Sequence, residues 1–256
     1  MSPPVTGIDH LIVGVRDLDA AQRAWARLGF TVTPRGRHRG WGTANRCIML
    51  QEGYVELLGI VDPTKFDNGL AAFLQQQEGL LGIALGTSDA AVTHAAWRRA
   101  GLAPREPAAL GRLLELPEGD VELKFRNTML ERQELAGVGL FASQHLTPGL
   151  LRRPGWTDHP NGALALVSCT VVAGDPAAVA AAMGKVFGSS ALTRTDRVTA
   201  VQTGSAVLLV AGAADAGQLH PGFDIEEPGA VPLLQVMAVM VEDPDRTADL
   251  LKRQGV

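Results

Sequence analysis

Four apolar runs, Ile8–Val15, Leu80–Gly86, Leu164–Val172 and Leu233–Val241, punctuate the chain, and the same polar rhythm follows each one. Two or three residues after each run stands an aspartate: Asp17, Asp89, Asp175 and Asp243. An amphipathic stretch comes next, closed by Gly29, Gly101, Gly188 or Gly255. Eight residues beyond each aspartate is a bulky apolar side chain, Trp25, Trp97, Met183 or Leu251. This is the pattern of a strand, a helix N-cap, about three turns of helix and a glycine free to take the left-handed conformation at the helix end. It predicts helices over Asp17–Leu28, Asp89–Ala100, Asp175–Phe187 and Asp243–Gln254, packed on the outer side of a sheet. A fourfold internal repeat constrains architecture more than any single residue does.

The rest of each repeat reads as three further strands. Unit one continues with Phe30–Thr33, Asn45–Leu50 and Tyr54–Ile60, the last two joined by the turn Gln51-Glu52-Gly53. Unit two offers Arg112–Leu116, Val121–Arg126 and Val138–Ser143, and unit three offers Leu192–Arg194, Val198–Gln202 and Ala206–Val210. Unit four has its strand and helix, then the sequence stops at Val256. The expected fold class is α+β, with repeated βαβββ units forming curved mixed sheets and helices on the outer face. Residues 7–145 pair units one and two, 146–162 form a Pro- and Gly-rich linker anchored by Trp156, and 163–256 hold unit three with the truncated unit four. Residues 62–78 read as an excursion with a short helix. The strand Leu233–Val241 is almost wholly apolar, so both of its faces should be covered. It should pair with unit three, leaving an edge that favours a homodimer or a covering loop.

Composition narrows the function. Hydrophobic residues make up 46% of the chain and charged residues 20%, an ordinary globular balance. The formal charge of −4 provides no basic field for nucleic acid or anionic lipid. The one basic run, Arg35, Arg37, His38 and Arg39, reads as a solvated loop. Cys47 and Cys169 lie in apolar runs with no CxxC pattern, as small buried residues of a reduced, cytoplasmic protein would. No apolar stretch is long enough to cross a membrane, and Met1–Gly7 lacks a secretory pattern.

Two residues break otherwise apolar strands. His10 lies in Ile8-Asp9-His10-Leu11-Ile12-Val13, where alternation puts His10 with Ile12 and Gly14 on one face and Asp9 with Leu11 on the other. Glu56 lies in Tyr54-Val55-Glu56-Leu57, and a buried carboxylate there needs a cation, a metal or a proton. The plain alternatives are a hydrogen-bonded core histidine and a carboxylate at a wet sheet edge. On strands of one curved unit, both can point into a cavity and form half of a divalent-metal site.

Repeated βαβββ units with a histidine in the opening strand and Tyr54-Val55-Glu56-Leu57 in the closing one resemble the vicinal oxygen chelate superfamily, and within it the glyoxalase-like group. Phe141-Ala142-Ser143-Gln144-His145 and His159-Pro160-Asn161-Gly162 resemble that group too. The resemblance implies paired units that contribute metal ligands from their first and last strands. It carries over to His10 and Glu56 and departs from the pattern at Gly82, Ser168 and Val236, the equivalents of His10, and at Leu208, the equivalent of Glu56 in unit three. A third ligand is expected from unit two, in the order His145, Gln144, Glu122, unless the site has decayed. The metal set is therefore His10, Glu56 and His145, holding Zn, Fe, Mn, Ni or Mg, with Glu56 also a candidate base. The implied function is a metal-dependent enzyme, a lyase or isomerase, acting on a small oxygenated substrate through chelation and enolate or oxyanion stabilisation. A non-enzymatic small-molecule binder and an iron(II) extradiol dioxygenase are the alternatives. His159 is read as a turn residue, His94 as exposed, and His38 and His220 as loop residues.

Overall fold

A computed structural model describes residues 4–256. Unit one supplies β1 (Gly7–Gly14), α1 (Leu18–Arg27), β2 (Gly36–His38), β3 (Thr43–Met49) and β4 (Tyr54–Ile60), followed by the short α2 (Leu70–Gln76). Unit two supplies β5 (Gly79–Gly86), α3 (Ala90–Arg99), β6 (Ala108–Leu114), β7 (Val121–Met129) and β8 (Leu140–His145). After α4 (Pro148–Leu151) come β9 (Ala163–Val172), α5 (Pro176–Phe187), β10 (Leu192–Arg194), β11 (Val198–Gln202), β12 (Val207–Ala211) and α6 (Ala213–Leu219). The chain closes with β13 (Leu233–Val241) and α7 (Pro244–Arg253).

All four repeat aspartates cap their helices. The Asp17, Asp89, Asp175 and Asp243 side chains each accept hydrogen bonds from backbone N–H groups of the first turn. Each such cap removes an orphan donor and stabilises its helix by about 1 kcal/mol. Trp97 and Met183 are fully buried beneath their helices, whereas Trp25 and Leu251 are half-buried.

Units one and two close into an eight-stranded barrel in the order β1-β4-β3-β2-β6-β7-β8-β5. The closure depends on β2, which pairs with β3 of its own unit and with β6 of the next. Here the structure departs from expectation. Phe30–Thr33 is not a strand; the strand is Gly36–His38, inside the basic run read as a loop. Thr33 donates its N–H to the Cys47 carbonyl, but Pro34 has no N–H to continue a ladder, so the strand forms beyond it. His38 is consequently a strand residue whose neighbour across the unit boundary is Arg112.

Units three and four form a five-stranded sheet, β10-β11-β12-β9-β13. As expected, β13 pairs with unit three, running antiparallel to β9. Its apolar residues are less covered than anticipated: Val236 alone is buried and Met240 is half-exposed, and no residue of α7 is buried against the sheet. The sheet and the barrel share one core that runs from Leu11 and Leu85 through Trp97 to Met183 and Val210. The Trp97 indole donates to the Val186 carbonyl at 3.3 Å across this junction.

Candidate functional site

The barrel lumen holds a cavity of about 90 Å³, and His10, Glu56 and Arg112 line it beside Tyr54, Phe125 and Asn127. His10 and Glu56 reach it from the neighbouring parallel strands β1 and β4, where Ile12 pairs with Glu56 and His10 with Tyr54. His10 and Glu56 are both buried. The His10 Nε2 atom lies 3.3 Å from Glu56 Oε2. The Tyr54 ring stacks on the imidazole at 4.3 Å, fixing its plane.

Asp9 does not obey simple alternation. The pairing of β1 with β5 shifts register between Ile8 and His10, so Asp9 is an extra residue without a partner. A bulge of this kind re-aims a side chain. The Asp9 Oδ2 atom sits 2.7 Å from His10 Nδ1 and 3.0 Å from His145 Nε2. It thus holds one nitrogen of His10 and leaves the other facing Glu56.

The electrostatics follow from these contacts. Burial opposes the charged form of each group, yet the partners outweigh it. Burial would lower the His10 pKa, but Asp9 and Glu56 raise it to about 9. Burial would raise the Glu56 pKa, but His10, with smaller contributions from His38 and Arg112, draws it down to about 2. Asp9 is likewise held well below the usual carboxylate range by its two histidines, against the burial that would raise it. His38 is different: burial pushes its pKa down, so its imidazole is neutral near pH 7. Its Nε2 lies 3.7 Å from Glu56 Oε1, and its Nδ1 is 2.9 Å from Thr43 Oγ1. The Asn45 amide also donates to Glu56 Oε1.

The expected metal set is only partly gathered. His10 and Glu56 face each other, while His145 engages Asp9 and meets His10 only through that carboxylate. Gln144 turns outward, accepting from the Ala90 N–H and donating to the Ser88 carbonyl. Glu122 pairs with Arg39 at the surface. His38, Asp9 and Arg112 are the site residues that sequence reasoning missed. Among the described residues, no three His, Cys, Asp or Glu side chains converge as a formed metal cluster. Two groupings approach one: Asp9 between His10 and His145, and Glu56 between His10 and His38, of which only the second has all three residues lining the lumen. Elsewhere, the His159 carbonyl closes the local turn by accepting from the Gly162 N–H at 2.8 Å, while its ring also joins segments, accepting from the Thr31 N–H and contacting the Met49 carbonyl. His94 is mostly covered and lies 3.6 Å from Glu106, and His220 contacts Thr170.

The family model of the glyoxalase-like domain matches residues 8–187. The chain belongs to the glyoxalase-like domain family. Its repeated βαβββ units and closed barrel give it the vicinal oxygen chelate fold. Among solved structures, this glyoxalase-like chain is similar to a hypothetical protein from Staphylococcus aureus, at 15% identity and a TM-score of 0.66 over 80% of this chain and 85% of that one. It is also similar to a xylose isomerase-like TIM barrel/4-hydroxyphenylpyruvate dioxygenase fusion protein, at 16% identity and a TM-score of 0.58. That match takes in 100% of this chain and only 40% of the fusion protein. A methylmalonyl-CoA epimerase from Mycobacterium tuberculosis matches 56% of this chain and 91% of its own, at 19% identity and a TM-score of 0.45. At their identities, the likeness to the first two of these structures concerns the fold alone. No curated protein matches the chain. No helix of the described residues is long and apolar enough to cross a membrane.

Proposed function

We propose that this glyoxalase-like chain is an enzyme that takes a small oxygenated molecule into the lumen of its first barrel and stabilises the enolate or oxyanion formed there. The observation that carries the reading is the buried His10–Glu56 pair, 3.3 Å apart on two adjoining strands and open to a cavity. Packing alone does not favour burying an imidazole and a carboxylate, and perturbed ionisable groups in a cleft mark functional sites.

A divalent ion belongs to this proposal because donor type and spacing suit one. Two imidazoles and a carboxylate make a facial set with open positions. Ligands about 2.0–2.2 Å from a shared ion stand roughly 3–4 Å from one another, and the Glu56 oxygens are 3.3 Å from His10 Nε2 and 3.7 Å from His38 Nε2. The third ligand proposed is therefore His38, in place of His145. Bound there, the ion would supply Lewis-acid polarisation of the substrate's oxygens.

The chain's own groups supply the rest. Asp9 takes the Nδ1 side of His10, as outer carboxylates do for ligating histidines, and so sets which nitrogen faces the lumen. Glu56 is ionised at neutral pH and available as a proton acceptor. With His10 protonated, the charges of Asp9, His10, Glu56 and Arg112 cancel. With His10 neutral and a dication present, the set carries one positive charge, which an enolate or carboxylate would neutralise.

The test combines elemental analysis of protein purified without chelators with deuterium exchange, followed by NMR, at carbon next to the carbonyl of small hydroxycarbonyl compounds. About one bound ion per chain, with exchange abolished in Glu56→Gln, supports the proposal. Binding without exchange under any of Zn, Mn, Ni, Mg or Fe would leave a sequestering protein instead. Oxygen uptake with a catechol under iron(II) would point to dioxygenation.

A further inference from the structure

The lumen contains a second set of polar groups that the His10–Glu56 pair does not use. Arg112, on β6, is buried at 3% exposure and forms no ion pair among the described residues within 4 Å. Its Nη1 donates to Cys47 Sγ at 3.3 Å, and burial holds that thiol protonated, pushed up to about 11. A thiol is a weak acceptor for a guanidinium. The Arg112 Nε atom is buried with no partner at all, and so is Oδ1 of Asn127 on β7. Both residues line the lumen. Native proteins leave few buried polar atoms unpaired, and each one calls for an explanation. Those two atoms are themselves closed off from the cavity that their side chains line, and a buried cation with no carboxylate partner there suits a ligand that brings one and draws both side chains toward it.

We infer that Arg112 and Asn127 form a subsite for a small hydroxy (or enol) carboxylic acid, with the carboxylate on Arg112 and the hydroxyl donating to Asn127. The inference rests on the proposed role of the lumen as a substrate site and names the substrate class. Arginine is the residue suited to it, because its planar fork matches a carboxylate in two hydrogen bonds.

The spacing limits ligand size. Arg112 pairs with Leu123, and Asn127 lies four residues further along β7. The long side chain of Arg112 shortens that gap, since its guanidinium carbon is 5.7 Å from the centre of the Phe125 ring. Phe125 and Asn127 are two residues apart on one strand face, or roughly 7 Å. The two residues sit close together on adjoining strands of one wall, which favours a ligand whose hydroxyl lies near its carboxylate, such as a 2- or 3-hydroxy acid. Leu110, Phe125, Met129 and Phe141 add an apolar wall for a short hydrocarbon chain.

The test uses the full chain stripped of metal with EDTA, so that it does not depend on any ion. The probes are 2-hydroxyisovalerate, its amide and isovalerate, with binding read by calorimetry and saturation-transfer NMR. The hydroxy acid should bind at least tenfold more tightly than the neutral amide, and several-fold more tightly than the acid without the hydroxyl. Asn127→Ala should erase the second preference and keep the first. Arg112→Lys should weaken the hydroxy acid about tenfold, with folding followed by circular dichroism. Equal binding of acid and amide overturns the inference. So does an unchanged hydroxyl preference in Asn127→Ala, or no binding of any acid at tens of millimolar. Each of these leaves the metal-dependent reading standing, and failure of proton exchange with acid binding intact removes the reaction while keeping the subsite.

Discussion

Replacing Asp9 by asparagine keeps the shape of the side chain and removes the charge that holds two histidines. Asp9 contacts His10 at 2.7 Å and His145 at 3.0 Å. A hydrogen bond between ionised partners contributes about 1.5–3 kcal/mol against about 1 kcal/mol for a neutral one. Asparagine retains part of the geometry, so the expected loss near pH 7 is on the order of 3 kcal/mol. The pH dependence is the sharper feature. His10 has a folded-state pKa raised from 6.5 to about 9, with burial opposing and Asp9 and Glu56 prevailing. Its contribution is therefore fully present below about pH 6.5 and is lost as pH rises through 9. At pH 10 the imidazole is neutral, and the Asp9→Asn penalty should shrink to about 1 kcal/mol. Urea denaturation of both proteins in EDTA at pH 7 and pH 10 measures this directly, because other alkaline titrations cancel in the difference. A penalty of equal size at the two pH values, or a negligible one at pH 7, would refute the assignment of a charged His10 clamped by Asp9.

Other consequences can be checked alongside it. Asp89→Ala removes the cap that accepts from Ala91 and Val92 and should cost about 1 kcal/mol in chemical denaturation. Met183→Ala empties a fully buried position under α5 and should cost about 2–5 kcal/mol, seen as a lower midpoint with an unchanged denaturant slope. Gly53→Ala should destabilise by roughly 1 kcal/mol or more, because the residue has φ +72° and a Cβ would meet the Asp9 carbonyl at 3.0 Å. In ion titrations, His38→Ala should weaken binding by more than the roughly tenfold to hundredfold that loss of a group outside the ligand set costs, while His145→Ala, which acts only through Asp9, should stay within or below that range.

The repeats could be read because their signal is local: an aspartate cap, a helical period and a terminal glycine announce a helix wherever the chain packs it. His10 and Glu56 could be read for a related reason, since a polar residue in an apolar strand costs too much to be incidental. Arg112 carries the same signal in Leu110-Gly111-Arg112-Leu113-Leu114, but attention to metal ligands passed over a cation. His38 was hidden by its neighbours. Arg35, Arg37 and Arg39 face outward to carboxylates such as Glu115 and Glu122, and a three-residue strand is too short to show a period. Asp9 escaped because a bulge cancels the alternation on which face assignment depends. His145 was placed by analogy with paired units, and its role is set by Asp9, a contact between residues 136 positions apart that strand pattern cannot foresee.

Whether His10, Glu56 and His38 gather a divalent ion in the lumen is decided by calorimetric titration of EDTA-treated protein with Zn²⁺ at pH 8 in two buffers of different ionisation enthalpy. With its pKa raised to about 9, His10 must surrender its proton to become a ligand, so one site per chain and release of close to one proton per ion are expected. Both should be lost in Glu56→Ala. Binding without proton release, or binding that survives Glu56→Ala unchanged, would contradict that ligand set.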